Sequence, residues 1–150
     1  MEEDASTVEV AVVRKFPVPE DLTDERLADL ITHCLLEEGA SGKWQVAVAF
    51  MDDSEIRFLH AQFMNNPEST DILTFPYDDP DMSCGDIAIC VPVAADQARE
   101  FGKSLSDELA FLILHGVLHL AGYEDGTDDD RAAMLAKQEA ILDSWKAASR

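Results

Sequence analysis

The stretch Leu105–Leu120, LSDELAFLILHGVLHL, constrains this fold more than any other feature. It is apolar on nearly every side, so as a helix it has to lie inside the domain. Two histidines, His115 and His119, sit in it four residues apart. At helical spacing both imidazoles leave one face, with Cβ atoms roughly 5–6 Å apart. A lone histidine on such a helix is usually a hydrogen-bonded core residue. A pair is costlier to bury unless its ring nitrogens are satisfied. One ion about 2.0–2.1 Å from each nitrogen does that directly. Gly122 lets such a helix end, and the chain can turn there to bring Asp125 to the open side of the pair. The pattern H-x-x-x-H-x-x-G-x-x-D has the shape of a three-ligand catalytic zinc site. It predicts a zincin-like centre on a buried helix, with His115, His119 and Asp125 holding one Zn2+ per chain. Gly116 stands where the usual zinc-peptidase signature has its glutamate base. Its plainest role is to let another backbone approach the helix closely.

The surrounding pattern predicts an α+β domain with a small mixed sheet of about four strands and about five helices. Residues 8–13 are rich in β-branched side chains and read as a strand. Asp21 or Thr23 can cap a helix running to about Glu38 and closed by Gly39. His33 lies on it as a surface or boundary residue. Residues 44–50 form a second strand. Asp52 with Glu55 suggests a capping box for a helix carrying Ile56, Leu59, His60 and Phe63. His60 can approach the metal cleft, but nothing in its spacing requires it. Residues 71–75 read as a third strand ended by Pro76, and residues 85–91 as a fourth. A helix over 92–102 follows. Ser104 or Ser106 then caps the metal helix, with Asp107 and Glu108 in its first turn, where carboxylates complement the dipole. Thr127 caps a last helix with Asp128, Asp129 and Asp130 at its N-terminal end. Met134, Leu135, Gln138, Ile141, Leu142 and Trp145 mark the face that packs inward.

At 150 residues the chain is long enough for a real core and reads as one domain, 1–150. The acidic start Met1-Glu2-Glu3-Asp4 lacks the profile of a signal peptide. No apolar run is long enough to cross a bilayer, so no membrane partner and a cytoplasmic location are expected. Cys34, Cys84 and Cys90 read as reduced and buried. The net charge of −20 argues against strong non-specific binding of nucleic acid, which calls for a basic face. It suits docking on a partner protein's basic surface.

Three further stretches extend the histidine motif. They are Phe63-Met64-Asn65-Asn66-Pro67-Glu68-Ser69-Thr70-Asp71-Ile72-Leu73-Thr74-Phe75-Pro76, then Gly85-Asp86-Ile87, then Met134 with Gln138-Glu139. In order and spacing they resemble the F-R-x-x-x-x-P-T-D-V-L-S-F-P stretch, the G-D/E-I strand and the M-x-x-x-Q-E helix of the YbeY family. That family's metal motif reads H-G-x-L-H-L-x-G-Y-D-H. The resemblance covers roughly residues 45 to 145. It implies a metal-dependent endoribonuclease acting in ribosomal RNA maturation and ribosome quality control, with ribosomal RNA or ribosomal assembly intermediates as partners. Two departures stand out. Asp125 occupies the place of the family's third histidine, and aspartate is a competent zinc ligand. Met64 occupies the place of the arginine, and a thioether cannot grip a phosphate as a guanidinium does. Met64 and the acidic charge favour an alternative, a catalytically weak ribosome-assembly factor that works through protein binding. A metal-dependent peptidase-like hydrolase is a third reading, weakened by Gly116.

Overall fold

The computed structural model describes residues 7–148; the acidic Met1-Glu2-Glu3-Asp4 lies outside them. The elements run β1 (Thr7–Arg14), α1 (Asp24–Glu37), β2 (Lys43–Met51), α2 (Asp53–Met64), β3 (Ile72–Tyr77), β4 (Ser83–Cys90), α3 (Val91–Phe101), α4 (Leu105–Leu120) and α5 (Asp128–Ala148). The expected α+β class, with four strands and five helices, is what the chain adopts.

The strands lie in the order β1-β2-β4-β3. β1, β2 and β4 are mutually parallel, and β3 runs antiparallel to β4 on the edge. Alternation along β2 divides the sheet's faces. Trp44, Val46, Val48 and Phe50 point into the main core with α1, α4 and α5. Met51, Ala88 and Leu73 face α2, where Ile56 closes a smaller cluster. α4 is therefore an interior helix, as its all-round apolarity requires. Gly116 and Gly85 set its height above the sheet. A Cβ on Gly116 would lie 2.9 Å from the Ile87 side chain, and one on Gly85 would lie 2.4 Å from Leu120. The close neighbour of Gly116 is thus a side chain, not the backbone expected from the sequence.

The caps resolve the open choices. Thr23 caps α1 by accepting from Arg26 N–H. Ser104 caps α4, while Ser106 donates to Asp21 at 2.7 Å. Asp52 accepts from Glu55 N–H at 2.9 Å, but the Glu55 carboxylate pairs with Lys15 instead of returning to the cap. Three expectations need correction. Pro76 does not end β3, which continues to Tyr77, because an edge strand tolerates the missing donor. Leu135 is exposed, since α5 meets α4 along the stripe of Met134, Gln138, Ile141, Leu142 and Trp145. Cys84 is only half-buried, whereas Cys34 and Cys90 are buried; all three are free thiols. Among the described residues, no helix is long and apolar enough to cross a membrane.

Candidate metal centre

The last turns of α4 present His115 and His119 with ring centroids 4.5 Å apart and planes nearly perpendicular, at 82°. α4 ends at Leu120 with Ala121 as its C-cap, and Gly122 takes φ +109°, a region open to glycine at little cost. The chain reverses there, with Tyr123 N–H donating to the Leu118 carbonyl at 3.0 Å. This turn returns Asp125 to the histidines. Its Oδ2 lies 3.4 Å from Nε2 of each.

The ring protons follow from the partners. Gln138, buried on α5, donates its amide N–H to the Phe111 carbonyl at 3.2 Å. Its Oε1 therefore faces His115 Nδ1, at 3.1 Å, and accepts from it. His119 Nδ1 lies 3.0 Å from the Tyr123 carbonyl, which can only accept. Both Nδ1 atoms thus carry hydrogen, and in the neutral rings both Nε2 atoms present lone pairs. Those two lone pairs face each other at 3.0 Å with a carboxylate oxygen beside them. Three acceptors with no donor between them repel unless a cation sits among them. In a tetrahedral zinc site, ligand atoms about 2.0–2.1 Å from the ion are about 3.3–3.4 Å apart. The two Asp125–histidine separations, 3.4 Å each, match that spacing, while the two Nε2 atoms lie closer, at 3.0 Å.

A relay steadies the turn. Tyr123 Oη donates to Glu38, whose other oxygen pairs with Lys137 of α5 at 3.2 Å. The Glu38 carboxylate raises the Tyr123 phenol above its ordinary range. Cys34 lies one turn before Glu38, its thiol pushed up to about 12, mainly by burial. It supplies no thiolate to the site.

His115 and His119 form one wall of a cleft of about 450 Å³, and α2 forms the opposite wall with His60 and Met64. Thr70 and Thr74 line it from the side of β3. Among the described residues, no lysine or arginine lines this cleft. Arg57, one turn or so before His60, is tied to Asp53 at 2.5 Å. A second depression on the far side of His115 contains Asp125 and Arg131, the latter paired with Asp128 at 2.9 Å. The Gly85-Asp86-Ile87 strand divides its duties. Ile87 supports α4 beneath Gly116, while Asp86 accepts from Tyr77 Oη on the other face. Sequence reasoning placed Gln138 inside but as packing, and it missed the Tyr123 carbonyl altogether. A lone amide on an otherwise apolar face was the available signal for Gln138.

Comparison with known proteins agrees with this architecture. The model for "Endoribonuclease YbeY" matches residues 12–146. The chain belongs to the YbeY family. Endoribonuclease YbeY of Acidothermus cellulolyticus is 35% identical over 144 residues, covering 87% of this chain and 88% of the relative. That of Moorella thermoacetica is 40% identical over 139 residues, covering 85% and 88%. The solution structure of TM1509 from Thermotoga maritima superposes with a TM-score of 0.67 at 27% identity, covering 96% of this chain and 92% of that one.

Proposed function

We propose that this YbeY-family chain is a metal-dependent endoribonuclease that hydrolyses RNA phosphodiesters in ribosomal RNA maturation and ribosome quality control. Its partners are ribosomal RNA or ribosomal assembly intermediates in the cytoplasm. The observation that carries the reading is the meeting of three unsatisfied acceptors, His115 Nε2, His119 Nε2 and Asp125 Oδ2, beside an open cleft. Those three residues would hold one ion, Zn2+ being the best match to an N/N/O donor set. A bound divalent ion supplies Lewis acidity toward a phosphoryl oxygen and makes water more acidic. The protein's share is orientation. Gln138 and the Tyr123 carbonyl fix both ring tautomers, and such outer partners set ligand geometry. Gly116 leaves no carboxylate beside the pair on α4, which disfavours a peptidase.

The test is metal analysis together with cleavage of ribosomal RNA fragments, with and without chelator. About one zinc per chain and chelator-sensitive cleavage support the reading. A metal-free protein, or cleavage indifferent to chelator, overturns it. One feature favours a second reading. Among the described residues no lysine or arginine lines the cleft, and the open sheet face carries an apolar groove around Phe63, Phe75 and Tyr77. An assembly factor that binds a basic partner protein and cleaves RNA weakly would retain metal but show little turnover.

A further inference from the structure

We propose that His60 contacts the substrate, its Nε2 taking a phosphate oxygen of an RNA strand that lies across the cleft. This rests on the nuclease reading above, which puts a phosphodiester there. Three histidines line the cleft, and they are not equivalent. His115 and His119 turn their Nε2 atoms toward each other and Asp125. His60 donates Nδ1–H to the Glu68 carbonyl at 2.8 Å. Its Nε2 has no hydrogen-bond partner among the described residues. The Glu68 carbonyl accepts only, so the Nδ1 proton stays in both charge states of the ring. Nε2 is then a lone pair in the neutral form and a second N–H donor in the cation.

The cleft's charge decides which form matters. Among the described residues, a phosphodiester entering between α2 and α4 meets no lysine or arginine. Met64 is uncharged, and Arg57 on the same helix is engaged by Asp53. The groups facing His60 are Met64 from α2, the Glu68 backbone, Thr70 and Thr74, and His115 and His119 from α4. Of these, His115 and His119 are committed to metal in the loaded protein. His60 is left as the group on the α2 wall that can carry positive charge to a phosphate. A neighbouring phosphate favours its protonated form, so RNA contact and proton uptake are coupled.

Binding of an uncleavable 2′-O-methyl RNA oligonucleotide, with one equivalent of Zn2+ and at low ionic strength, tests this. Fluorescence anisotropy would be read at about pH 6 and about pH 8, on either side of the ordinary imidazole range. The wild type should bind more tightly at the lower pH. His60→Ala should lose about tenfold in affinity there, the share of one hydrogen bond to a charged group, together with most of the pH difference. His60→Arg should restore affinity without the pH difference. If His60→Ala keeps the wild-type affinity and pH difference, the contact is overturned. Cleavage of unmodified RNA by the wild type judges the nuclease reading separately. Cleavage with unaltered binding in His60→Ala sinks only the contact. Absent cleavage sinks the nuclease reading, and the contact then stands or falls on binding. A wild type that binds no RNA sinks both.

Discussion

At Asp125 a carboxylate closes a site that two imidazoles open. Two neutral imidazoles and one carboxylate leave a divalent ion with a formal charge of about +1, against about +2 for three imidazoles. Asp125→Ala should therefore weaken zinc binding by more than about 100-fold, since losing a ligand exceeds the loss of an outer partner. Asp125→His should retain the metal. Calorimetric zinc titration distinguishes the two variants, and unchanged affinity in Asp125→Ala would reduce the residue to a carboxylate of the turn. Across the cleft, Met64→Arg should raise RNA cleavage and steepen its salt dependence, because a guanidinium adds a two-point phosphate contact. Arg57 is paired with Asp53 and is not among the residues that line the cleft. Initial rates at two ionic strengths measure this, and equal rates and slopes would show that residue 64 does not meet the substrate. The histidine pair and Asp125 were legible in the sequence because helix period and a glycine turn are local properties. His60 was legible only as a residue able to approach the cleft, because its place there depends on how α2 crosses the sheet.

α5 contributes more than packing. Its inner stripe is apolar except at Gln138, and that amide bridges the Phe111 carbonyl to His115. The adjacent Lys137 reaches His119 indirectly, through Glu38 and Tyr123. One helix thus steadies both imidazoles. Gln138→Leu preserves volume but leaves the partly buried Phe111 carbonyl and His115 Nδ1–H without their partner. It should cost about 1–3 kcal/mol of stability and weaken zinc binding about 10–100-fold. Thermal melts of the metal-free variant and zinc titration read the two effects apart. A stability loss with wild-type zinc affinity would make Gln138 a packing residue only. Element types were legible where periodicity was strong, as in α1, β2 and α4. Details failed where a neighbour decides. Pro76 continues β3 because that strand has an open edge, and Leu135 is exposed because α4 touches only the stripe beginning at Met134.

At the scale of the whole molecule, sequence pattern showed which segments become strands but not how they line up. β1 carries polar residues at both ends and in its middle, whereas β4 finishes in the continuous apolar run 87–90, which fits an edge and an interior strand. Nothing local says that β4 inserts between β2 and β3. Net charge, by contrast, is fully legible and acts on the entire fold. With 31 acidic and 11 basic residues, 20 carboxylates exceed any possible pairing (31 − 11 = 20). Such an excess destabilises the compact state through self-repulsion, while exposed ion pairs such as Arg99–Asp96 contribute little. Salt should therefore stabilise this protein even as it weakens RNA binding. Raising ionic strength from about 0.01 M to about 0.15 M shortens the Debye length from about 30 Å to about 8 Å. A gain of about 1 kcal/mol would lift Tm by about 2–4 °C for a chain of this length. Thermal melts across that range should rise while RNA affinity falls. A Tm that drops with added salt would mean that attractive pairs, not the carboxylate excess, dominate the electrostatics of the fold.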